Sequence, residues 1–76
     1  MTYYAVQTWS RFGELHLELN RYEGDSIPQN NQQGSNEVWH LNEFFPTLEL
    51  ALDYFKRARA DHEKVGRYPI IGGNAV

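Results

Sequence analysis

Residues Pro46-Thr47-Leu48-Glu49-Leu50-Ala51-Leu52-Asp53-Tyr54-Phe55-Lys56-Arg57-Ala58-Arg59-Ala60-Asp61-His62-Glu63-Lys64-Val65-Gly66 decide how the rest of this chain is read. Apolar side chains recur at helical spacing, with Leu48, Ala51, Leu52, Phe55 and Ala58 forming a central stripe. Leu50, Tyr54 and Val65 widen that stripe on one flank. Together these positions span about 200°, against the ~100° a helix needs to cover one core. Pro46 forces Phe45 into extended backbone, so the helix cannot start earlier. Thr47 is placed to cap it and Glu49 to meet its positive end. Gly66 and Pro69 supply the stop. The pattern predicts a helix over 47–65.

Upstream of this segment the period changes from helical to two. Leu15, Leu17 and Leu19 alternate with His16, Glu18 and Asn20, which demands one buried and one wet face. Tyr3 to Trp9 is rich in β-favouring side chains, and Gly13 suits the turn between the two strands. An antiparallel hairpin over 3–20 follows. Val38 to Asn42 reads as a third strand. Residues 23–37, with Gln29-Asn30-Asn31-Gln32-Gln33-Gly34-Ser35-Asn36 at their centre, carry almost no apolar surface and predict a mobile polar loop. Tyr68 to Ile71 could return as a fourth strand, confined to an edge by Pro69, with a frayed tail over 72–76. The expected fold is α+β in one domain over 1–76: a small antiparallel sheet of three to four strands covered by one helix.

Composition narrows function more by exclusion than by assignment. The 76 residues carry a net charge of −3 and no cysteine, which rules out disulfides, thiolate metal sites and a cysteine nucleophile. No leader-like segment or ~20-residue apolar run is present, so a cytoplasmic protein away from membranes is expected. Charge is uneven along the chain. Residues 1–55 set two cations against eight acids, and residues 56–76 set five cations against two acids. Direct nucleic-acid binding is therefore not expected of the sheet. It would have to use Lys56, Arg57, Arg59, Lys64 and Arg67, among which Asp61 and Glu63 are interleaved.

Chemistry-bearing constellations are weak. His16, Glu18 and His40 would share a solvent face if the second and third strands were neighbours, but their spacing is generic and no metal or other cofactor is expected. No serine sits in a nucleophile motif, and no phosphate-binding loop appears, so an enzyme is not expected. The aromatic content is the stronger signal. Eleven Phe, Trp and Tyr side chains exceed what so small a core can enclose, and exposed rings enrich binding surfaces.

The layout of hairpin, third strand and then Phe45-Pro46-Thr47-Leu48-Glu49-Leu50-Ala51-Leu52-Asp53-Tyr54-Phe55 resembles small phage-encoded host-takeover and anti-CRISPR proteins. That resemblance implies a non-enzymatic inhibitor that binds a host protein or nucleoprotein complex through a basic surface of the partner. Trp9, Phe12, Glu14, Glu18, Tyr22, Glu23, Asp25 and Trp39 are the expected partner-binding residues. The competing expectations are a homodimer that buries Leu50, Tyr54 and Val65, and a nucleic-acid-binding or regulatory accessory domain.

Overall fold

The computed structural model describes residues 1–11, 14–35, 37–65 and 70–75, with side chains through Asp61. Among these residues five strands and one helix follow in the order β1 (Thr2–Arg11), β2 (Glu14–Glu23), β3 (Asn31–Gly34), β4 (Val38–Phe45), α1 (Leu48–Val65) and β5 (Ile70–Ala75). They form an α+β fold, with a sheet of spatial order β3-β4-β1-β2-β5 packed against α1. The pairs β1·β2, β1·β4 and β3·β4 are antiparallel, whereas β5 joins the free edge of β2 in parallel. No helix among the described residues is long and apolar enough to cross a membrane.

The β1·β2 register explains the core. Val6 faces Leu19, Thr8 faces Leu17 and Ser10 faces Leu15, so these residues share the helix-covered side. All are buried. Ala51 and Phe55 close over Val6, Leu17 and Leu19, with Tyr4, Phe45, Leu52, Tyr54 and Ala58 packed around them. Removing these side chains from water is the main term stabilising the fold, at about 1.5–3 kcal/mol for each large apolar side chain. Thr47 caps α1 as expected: its Oγ1 accepts from the Leu50 amide at 3.3 Å, and its carbonyl accepts from Ala51.

Four expectations are corrected. First, the segment 23–37 is not loop throughout, because β3 pairs with β4 within it. Its four residues are all exposed, so pairing rests on backbone and amide hydrogen bonds and not on burial. Asn30 Oδ1 accepts from the Phe44 amide at 2.7 Å, and Asn42 Nδ2 donates to Asn31 Oδ1 at 2.9 Å. Gly34 ends the strand at φ 105°, and a Cβ there would lie 2.2 Å from the Val38 carbonyl oxygen. Second, residues 72–75 are not a frayed tail, since β5 continues to Ala75. The sheet therefore has a fifth strand, and that strand is parallel because α1 carries the chain back before it returns. The pairing shifts register between Leu17 and Leu19, which places an extra residue in β5.

Third, Leu48 is not part of the buried stripe; it is 39% exposed. Fourth, Tyr54 is not surplus flank. It is half-buried, with its ring 5.3 Å from that of Phe45, and its hydroxyl bonds the Glu43 carboxylate. Burial, then the Glu43 hydrogen bond and charge, push its phenol up to about 12, with Arg57 opposing. The expected helix stop at Gly66, the residues Tyr68 and Pro69 before β5, and the side chain of Val65 lie outside the described residues.

Candidate functional site

The second face of the sheet is left open by α1, and strand alternation determines what it presents. Tyr3, Ala5, Gln7, Trp9 and Arg11 of β1 point to it, flanked by Glu14, His16, Glu18, Asn20 and Tyr22 of β2. Val38, His40, Asn42 and Phe44 of β4 flank it on the other side. Two groups of rings cross these three strands. In one, Tyr3 stacks on Tyr22 at 5.7 Å and meets Phe44 edge-to-face at 5.9 Å. In the other, Trp9 stacks on His16 at 5.4 Å and meets His40 edge-to-face at 5.5 Å. Each β1 ring thus stacks toward β2 and makes an edge contact toward β4. Offset stacks and T-shaped pairs are the arrangements that ring quadrupoles favour.

A hydrogen-bonded row lies between the ring groups. Gln7 Oε1 accepts from Asn20 Nδ2 at 2.7 Å and from the Tyr22 hydroxyl at 2.8 Å. Gln7 Nε2 donates to Asn42 Oδ1 at 3.1 Å, and Asn42 passes the chain on to Asn31. Asn20 also donates to Glu18 Oε2. The row spans four strands, and Gln7 is its hub. Ala5 is fully buried although it points to the open side, because larger side chains across from it and along the strand close over it.

At the Trp9 end, β1, β4 and β3 bound a shallow groove of about 840 Å³, lined by Gln7, Trp9, Arg11, Gln33, Val38 and His40 among others. Arg11 is exposed and forms no ion pair among the described residues. His40 Nε2 is shielded from solvent without a hydrogen-bond partner among the described residues, its ring held against Trp9.

The structure brings some expected residues together and separates others. Trp9, Glu14, Glu18 and Tyr22 share the open face. Trp39 falls on the helix-side parity, opposite Ser10 and Gly34, although it borders the groove. Glu23 accepts from Thr2 Oγ1 at 2.7 Å at the far end of β2, and Asp25 is exposed beyond that strand. Phe12 lies outside the described residues. The imagined His16, Glu18 and His40 set is broken by topology: β1 runs between β2 and β4, so the Trp9 ring stands between the two imidazoles. Among the described residues no three His, Asp or Glu side chains gather where they could hold a metal ion.

Sequence reading missed Tyr3, Gln7, Arg11, Asn20, Asn42 and Phe44 as members of this face. Their signal was the register of β1 between two neighbours, which alternation within one strand does not contain. Comparison with family models, curated proteins and solved structures returns no match.

Proposed function

We propose that this chain is a non-enzymatic protein-binding module of the small phage-inhibitor kind, acting in the cytoplasm of a host cell and docking through its open sheet face. The observation that carries this reading is the pair of ring groups joined by an amide row spanning four strands, on a face that α1 does not cover. Rings and amides already held by one another lose little freedom on binding, which favours association. Glu14 and Glu18 give the β2 side of the face a negative potential that suits a basic partner surface and speeds encounter with it. The face is open and shallow, whereas catalysis gains most where water is excluded.

Affinity capture from bacterial lysate tests the proposal. Wild-type protein should retain a partner, Trp9→Ala and Glu18→Lys should lose it, and Leu50→Ala on the helix should keep it. A monomeric wild-type protein that retains nothing, or retention indifferent to Trp9 and Glu18, would overturn it.

One observation favours a second reading, an accessory domain that binds nucleic acid: Trp9 and Arg11 border the same groove, and rings beside a guanidinium suit unstacked bases. Binding to single-stranded DNA or RNA that weakens steeply with salt would select it over the first.

A further inference from the structure

We infer that the groove at the Trp9 end of the open face takes a carboxylate carried next to a flat apolar ring, presented by a protein partner. The inference rests on the protein-binding reading and names the chemistry at one end of that site. In a chain of net charge −3, the formal charge that the described residues bring to this groove is positive: Arg11 borders it and, among the described residues, no Asp or Glu does. That guanidinium is unpaired among the described residues. Glu14 is opposite Arg11 in register, but on the β2 side, away from the groove. Beside Arg11 stand the apolar surfaces of Trp9 and Val38, and the exposed Gln33 adds an amide from β3.

One planar fork matches one carboxylate, with two parallel N–H···O bonds. A phosphate ester would bring further charge with no second Lys or Arg among the described lining residues to meet it. The groove, about 840 Å³, is large enough for a ring-bearing group and its flanking backbone. The open face is therefore bipolar, with carboxylates along β2 and a carboxylate-binding groove between β1, β4 and β3.

The test uses the full chain and three small probes followed by NMR: N-acetylphenylalanine, its uncharged amide, and phenyl phosphate. N-acetylphenylalanine should shift the Trp9 indole signal saturably at millimolar concentration. The amide should bind about tenfold more weakly, the factor expected for losing a charged hydrogen bond. Arg11→Gln should abolish the difference between acid and amide, while Arg21→Gln, exposed on the other parity of β2, should preserve it. Equal binding of acid and amide, tighter binding of phenyl phosphate, or no saturable shift would each overturn the inference. Probe binding without any captured partner would leave the groove standing and defeat the protein-binding reading. A captured partner without probe binding would do the reverse.

Discussion

Strand β2 has two sides that are ordered by different forces. On one, Leu15, Leu17 and Leu19 are fully buried beneath the helix-covered side. On the other, His16, Glu18 and Asn20 remain partly exposed; His16 is fixed by its ring stack on Trp9, and Glu18 and Asn20 by hydrogen bonds of the amide row. The covered side is held by burial, which is non-directional and tolerant of detail. The open side is held by contacts whose distance and angle matter. The lesson is that a face without a lid can still be rigid, provided its side chains satisfy one another across strands.

The sharpest way to break the covered side is Leu17→Ala, which leaves a cavity beside Phe55 and Val6. It should cost about 2–5 kcal/mol, read as a fall in the denaturant midpoint with the slope unchanged. In a domain this small that is a large part of the stability. Gly34→Ala strikes the sheet's outer edge instead, at the end of β3. Its positive φ, and the Val38 carbonyl oxygen that an added Cβ would meet, should make the change cost about 1–3 kcal/mol. Hydrogen exchange should then show the β3 and β4 amides opening while those of β1 and β2 hold.

Gln7→Ala removes the hub of the amide row and should cost about 1 kcal/mol, because its partners can recover water. Its stronger signature should be loosened Asn20 and Asn42 side-chain amide signals by NMR, with the Leu17 region unmoved. A fourth comparison reads the covered side at high pH. The Tyr54 phenol sits above its unfolded value, so the stability it contributes is intact below about pH 10 and is lost as pH rises toward 12. The loss of stability between pH 10 and 12 should be shallower in Tyr54→Phe than in wild type, by alkaline denaturation. Smallest of all, Leu50→Glu on the 52% exposed flank should change stability by no more than ~0.5 kcal/mol. A shift in oligomeric state by light scattering would show that this flank, and not the open sheet face, meets another chain.

Much of the covered side was legible in the chain. Leu15, Leu17 and Leu19 announce a half-buried strand because burial on one face forces a period of two, and the structure keeps that strand as expected. Pro46 and Thr47 announce where α1 begins because both act within one turn. The candidate site was legible only in pieces. Trp9, Glu14, Glu18 and Tyr22 were singled out, but the glutamine and asparagine row that joins the ring groups looked like ordinary polar surface.

What the sequence by itself determined is what local chemistry and periodicity fix: a hairpin, a third strand, one capped amphipathic helix and a surplus of rings. Only the tertiary structure decided that β1 lies between β2 and β4, that Asn31–Gly34 pairs as an edge, and that β5 returns in parallel. The physical reason is that strand neighbours are chosen through backbone hydrogen bonds, and every non-proline residue offers the same donor and acceptor. The side chains that would reveal the choice meet only after it is made, as Trp9 does between His16 and His40.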